Sequence, residues 1–149
     1  SGNGEQSHRL GDIIKLAPGF GFIQGVIIDQ HFAERGRVGR LLGVVAQNPK
    51  NIGVGIDENT AILVEREKFY VLGDGAVYVL DCRDVSESNI ADEDLSKTLT
   101  VYDVKMHLLS QSHSFDLIER RPKPMPKEKI EELFPSTQAK DTRHSDKVK

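Results

Sequence analysis

Two apolar runs and the segment between them constrain this chain most. Val26-Ile27-Ile28 reads as a buried strand, and Asn51-Ile52-Gly53-Val54-Gly55-Ile56 alternates small with branched residues as a second strand. Between them Val38, Leu41, Leu42 and Val45 recur at helical spacing until Pro49 prevents the helix from continuing. The unit is β-α-β. A right-handed crossover of this kind lays the two strands parallel, so the residues just past each strand emerge at one edge of one sheet.

The residues at those two strand ends are chemically distinctive. The first strand runs into Asp29-Gln30-His31-Phe32 and then Arg35, Arg37 and Arg40, and the second stops at Asp57-Glu58. Ligands of open α/β sheets bind outside the carboxyl ends of the strands, which makes His31 a site candidate. A carboxylate bonded to one imidazole nitrogen fixes the tautomer and leaves the other nitrogen to take a proton from a hydroxyl or thiol. Asp57 and Glu58 both qualify for that role. Strand alternation puts Glu58 with Val54 and Ile56 and Asp57 with Gly53 and Gly55, so only one of them can meet His31. Three arginines at a helix start oppose the macrodipole, which suggests an anionic ligand there.

The rest of the chain reads as antiparallel. Thr60 to Val64, Lys68 to Leu72 and Ala76 to Leu80 are short β-rich runs, with Gly73-Asp74-Gly75 predicted as the positive-φ turn of a tight hairpin in a meander. A polar, acidic insertion spans Asp84 to Asp94. Further strands are expected at Thr98 to Val101, Val104 to Leu109 and Phe115 to Ile118, completing the same sheet. From Arg120 onward, prolines 122, 124 and 126 and many lysines predict a solvated tail with one short helical turn at Lys129 to Leu133. Pro18-Gly19-Phe20-Gly21-Phe22 precedes a strand, where a dinucleotide loop would follow one.

The 149 residues carry 20 basic and 23 acidic side chains, a formal charge of −3, with no Trp and 6% aromatics. That balance argues against a nucleic-acid surface, which needs excess cationic charge and stacking rings. No apolar run reaches the ~18 residues of a membrane span. The lone Cys82 cannot form an internal disulfide, in keeping with a reducing, cytoplasmic setting. No pair among His8, His107, His113 and His144 has a credible metal-ligand setting, and neither metal nor cofactor is expected.

Asp29-Gln30-His31-Phe32-Ala33-Glu34-Arg35-Gly36-Arg37-Val38-Gly39-Arg40-Leu41 and Gly53-Val54-Gly55-Ile56-Asp57-Glu58-Asn59-Thr60-Ala61 closely resemble the cyanophycinase family. Gly73-Asp74-Gly75-Ala76-Val77 and Phe115-Asp116-Leu117-Ile118-Glu119-Arg120-Arg121-Pro122 resemble that family's carboxyl-terminal half. The resemblance implies an α/β fold: a partial flavodoxin-like sheet, akin to the class I glutamine amidotransferases, with one parallel β-α-β unit followed by antiparallel strands. It implies a serine-type exopeptidase, related to aspartyl dipeptidase, that releases β-aspartyl-arginine dipeptides from cyanophycin, a polyaspartate with arginine on each β-carboxyl. It puts the catalytic pair on His31 and Glu58, and substrate binding on Asp29, Gln30, Arg35, Arg37 and Arg40.

The family's nucleophile is a serine on a glycine-flanked strand-to-helix elbow, and no serine here has that context. The expectation is therefore that residues 1–122 are the carboxyl-terminal half of the catalytic domain and 123–149 a charged tail. An upstream half would carry the nucleophile, the isolated chain would be inactive, and the full-length form would be a homodimer. Two other readings stand beside this one: a related β-aspartyl or aspartyl dipeptidase, and a non-catalytic peptide-binding module.

Overall fold

The alternation of Gly53 and Gly55 with Ile52, Val54 and Ile56 is explained by a strand that is buried on both faces. In a computed structural model, which describes residues 23–32 and 37–136, β2 (Ile52–Ile56) is buried throughout. Its parallel partner is β1 (Val26–Gln30), paired in register from Val26↔Ile52 to Gln30↔Ile56. Between them runs α1 (Arg37–Gln47), so the β-α-β unit is present as expected. The glycine face lies under α1, where a Cβ on Gly53 would come within 2.5 Å of Val45 Cγ2 and 3.1 Å of Leu41 Cγ. The helix turns Leu41, Val44 and Val45 inward, while Val38 of the expected stripe is 42% exposed. Asn48 ends it, its Nδ2 donating to Val44 O at 3.1 Å just before Pro49.

The remaining strands are β3 (Thr60–Glu65), β4 (Lys68–Gly73), β5 (Val77–Asp81), β6 (Glu87–Ser88), β7 (Val101–Tyr102), β8 (Lys105–Leu109), β9 (His113–Asp116) and β10 (Arg121–Pro124). They divide differently from the expected meander. One four-stranded sheet has the order β1-β2-β5-β8 and a second has the order β10-β9-β4-β3. β3 and β4 do form a hairpin, but β5 leaves it and pairs antiparallel with β2. Gly73-Asp74-Gly75 is thus a crossover between sheets. Of its glycines Gly73 carries the positive φ, +106°. The β8 to β9 link crosses back in the same way, since β8 pairs with β5 and β9 with β4. The acidic insertion contributes β6, which pairs with β7 in a separate two-stranded ribbon, so the run expected at Thr98 to Val101 does not join the main sheet.

The two sheets face each other across the main core. Ile52, Val54 and Ile56 of β2 and Val77 and Val79 of β5 meet Phe69 and Val71 of β4 and Phe115 of β9. A second cluster under α1 joins Phe32, Leu41, Val45, Leu80 and Cys82. β2 is therefore sandwiched, which fixes its carboxyl end in place.

The expected solvated tail is also revised. Arg121–Pro124 pairs with β9 as an edge strand, where two prolines are tolerated because their missing donors face no neighbour. Met125 is buried, and α2 (Lys127–Leu133) follows. Lys129 Nζ ties α2 to β3 through Glu65 Oε1 at 2.8 Å and lies 5.2 Å from the Tyr70 ring centroid. The Pro18–Phe22 turn, His8, His144 and Arg35 lie outside the described residues.

Candidate active site

β1 does not simply end at Gln30. His31 has φ +55°, a left-handed conformation that histidine tolerates better than branched residues do. This kink throws the imidazole outward, leaving it 63% exposed, and turns Phe32 inward. Phe32 N–H then donates to Ile56 O at 3.1 Å, prolonging the parallel ladder beyond the kink. The Phe32 ring lies against Gly55, where a Cβ would fall 2.4 Å from its Cγ, and 4.7 Å from the Tyr78 ring.

Glu58, just past the end of β2, faces this imidazole: Oε1 is 3.7 Å from His31 Nδ1. That is ion-pair range, somewhat beyond a hydrogen bond, and such contacts often tighten only when substrate binds. Asp57 is committed elsewhere. Its Oδ2 accepts the Ala76 N–H at 3.2 Å, its own N–H donates to Ala76 O at 3.1 Å, and its Oδ1 is buried without a hydrogen-bond partner among the described residues. Of the two acids left open by strand alternation, Glu58 is the one beside the histidine.

His31 and Glu58, with Gln30, Ile28, Asn59 and Thr60, line an open cleft of about 360 Å³. The charged residues form a separate group on the α1 side. Arg40 Nη2 reaches both oxygens of Asp29 at 3.0 Å, and Arg37 Nη1 reaches Asp29 Oδ1 at 3.1 Å. Asp29 thus offsets the two cations that open α1, a helix with no acid in its first turn. Arg37 Nη1 also donates to Gln30 O at 2.6 Å, which joins this cluster to the cleft. The described candidate residues are therefore gathered at one rim in two parts, with Gln30, His31 and Glu58 in the cleft and Asp29, Arg37 and Arg40 behind it.

Other places compete poorly. A larger hollow of about 860 Å³ lies at the far end of β3 and β4, lined by Glu65, Glu67, Asp116 and Glu119 among others. Three of these acids are engaged by lysines, Glu65 by Lys129 and Asp116 and Glu119 by Lys123, and no histidine lines it. Burial, reinforced by the neighbouring Asp81, pushes the Cys82 thiol up to about 11, so it stays protonated at neutral pH and is a poor nucleophile. Among the described residues, no cluster of His, Cys, Asp and Glu could hold a metal ion, and no helix is long and apolar enough to cross a membrane.

Sequence reasoning missed Thr60, which lines the cleft, and Phe32, which seats the chain next to His31. The pairing of a large ring with Gly55 across two parallel strands was the available signal for Phe32.

No protein-family model matches the chain. Curated proteins do. It is 38% identical over 117 residues to a cyanophycinase of Synechococcus elongatus, a match covering 78% of this chain and 36% of that protein. A cyanophycinase of Trichormus variabilis is 38% identical over 120 residues, 80% of this chain and 40% of its own length. One from Geminocystis herdmanii is 30% identical over 121 residues, 80% and 44% respectively. The chain is thus a sequence relative of the cyanophycinases, and it spans less than half the length of the curated relatives it matches.

Proposed function

We propose that this chain supplies the proton-handling half of a serine-type exopeptidase site acting on cyanophycin. The observation that carries the reading is His31 Nδ1 facing Glu58 Oε1 at 3.7 Å on the rim of two parallel strands. With Nδ1 turned to the carboxylate, Nε2 is left for a serine hydroxyl contributed by the remainder of a full-length enzyme. His31 takes the hydroxyl proton as the oxygen attacks the scissile carbonyl carbon, then returns it to the leaving amine as the tetrahedral intermediate collapses. Water repeats the cycle and frees the acyl fragment, the small product of the cleavage being a β-aspartyl-arginine dipeptide. Glu58 holds the ring's orientation and stabilises the imidazolium.

On this reading the β1-α1-β2 unit is part of a larger flavodoxin-like sheet, in a cytoplasmic enzyme that acts as a homodimer. Gln30 meets the substrate in the cleft. Asp29, Arg37 and Arg40, together with Arg35, present charge to the arginine and carboxylate groups of cyanophycin. Because Asp29 already holds Arg37 and Arg40, a substrate arginine approaching it must exchange for one of them.

The test is His31→Ala in a full-length enzyme containing this segment, with cyanophycin as substrate. The expected result is a loss of about 10² to 10⁴ in kcat with substrate binding little changed. Near-normal turnover overturns the proposal. Release of arginine-free β-aspartyl dipeptides at the same rate as arginine-containing ones would instead assign the site to a β-aspartyl dipeptidase.

A further inference from the structure

We propose that Thr60 is a positioning residue that fixes Glu58 against His31, an inference that rests on the catalytic role of that pair and extends it. Glu58 stands on a short turn between β2 and β3, its side chain nearly half exposed. What holds the turn is its contact with the Gly73 to Ala76 crossover. The Thr60 hydroxyl sits at the centre: Oγ1 donates to Glu58 O at 3.0 Å and accepts the Gly75 N–H at 2.9 Å. One hydroxyl thus links the backbone of the catalytic acid to the strand connection beside it.

The surrounding bonds close the clamp. Asp74 N–H donates to Asn59 O at 3.2 Å, and Asp57 and Ala76 exchange bonds on the other side. No side chain fits at Gly75, where a Cβ would lie 2.4 Å from Thr60 Oγ1, 2.9 Å from Asp57 Cβ and 3.0 Å from Glu58 O. The glycine is needed there for closeness, since its φ is not among the positive ones. Thr60 also lines the cleft, so the bonded turn borders the site. Without that oxygen the Gly75 donor loses its acceptor and the Glu58 carbonyl loses its donor. The turn is then free to shift, and misplacement of a catalytic group by about 1 Å costs up to about 10² in rate.

The experiment measures kcat and KM of Thr60→Val, Thr60→Ala and Thr60→Ser in a full-length enzyme carrying this segment, with Glu58→Gln assayed alongside. Thr60→Val and Thr60→Ala are expected to lower kcat by about 10- to 100-fold with KM little changed, while Thr60→Ser retains most of it. A role confined to folding would lower the yield or melting temperature and leave kcat per folded site intact, which overturns the inference. A loss in Thr60→Ser as large as in Thr60→Ala, with Thr60→Val close to the parent, overturns it too, because the serine and alanine variants lack the methyl group that valine keeps. If Glu58→Gln is crippled and Thr60→Ala is not, the positioning role alone fails. If Glu58→Gln turns over normally, the catalytic reading fails and takes this inference with it. Amide exchange at Gly75, read by NMR, follows the bond itself: protection kept in Thr60→Ser and lost in Thr60→Ala supports the role, and protection unchanged in Thr60→Ala contradicts it.

Discussion

Outward His31 and inward Phe32 are consecutive residues, and the left-handed backbone at His31 is what sends them in opposite directions. The position of the imidazole therefore depends on how deeply the Phe32 ring seats over Gly55. Gly55→Ala is expected to push that ring outward, because the new Cβ would overlap the base of the ring and not its flexible tip. The cost should be about 1 to 3 kcal/mol in urea unfolding, as for other overpacked cores. A variant as stable as the parent would show that the ring has room to move. At this scale the strand-end positions of His31 and of the Asp57–Glu58 pair were legible as local patterns, but strand alternation left the two acids open and the family resemblance alone pointed to Glu58. Thr60 was not legible: its hydroxyl is one of many on the chain, and its meaning comes from Gly75, which only folding brings next to it.

The β-α-β unit could be read from periodicity because both strands and the helix bury one face against each other within a single stretch of chain. The antiparallel part could be read only as strands. Gly73-Asp74-Gly75 announces a sharp turn, and a hairpin and a crossover between sheets demand similar residues; which one forms is decided by β5 finding β2 as its neighbour instead of β4. Prolines 122 and 124 misled in the same way, since an edge strand accepts them and a central strand does not. The β9 to β10 hairpin has its own electrostatic latch. Asp116 accepts the Glu119 N–H, and that bond first, then the Lys123 ammonium and the Ile118 N–H, holds its carboxyl below the ordinary carboxylate value. A lowered value means the carboxylate stabilises the fold above the ordinary range and that this contribution fades as pH falls through the lowered one. Stability measured between about pH 5 and pH 2 should thus decline less steeply in Asp116→Asn than in the parent. Identical slopes would remove Asp116 from the acid response.

The molecule has two poles. The cleft occupies the carboxyl ends of β1 and β2, and at the other end of the first sheet the buried carboxylate of Asp81 meets Arg120 at 2.8 Å. Arg120, 13% exposed, also donates to Lys50 O, so one guanidinium ties the β9–β10 turn to β5 and to the loop ahead of β2. Arg120→Ala removes the ion-pair partner of the buried Asp81 carboxylate, which keeps the Arg83 N–H, and its expected cost is about 3 kcal/mol in urea unfolding. In a full-length enzyme the folded fraction should keep its kcat, since the bond lies at the pole away from His31; a large fall in kcat would mean the poles are coupled. The central claim is that His31 and Glu58 work as one unit. A double-mutant cycle on kcat in the full-length enzyme, with His31→Ala, Glu58→Gln and both together, tests it most directly. Residues that act as a unit do not lose their effects independently. The account predicts that the double variant is no slower than His31→Ala alone, and losses that multiply would contradict it.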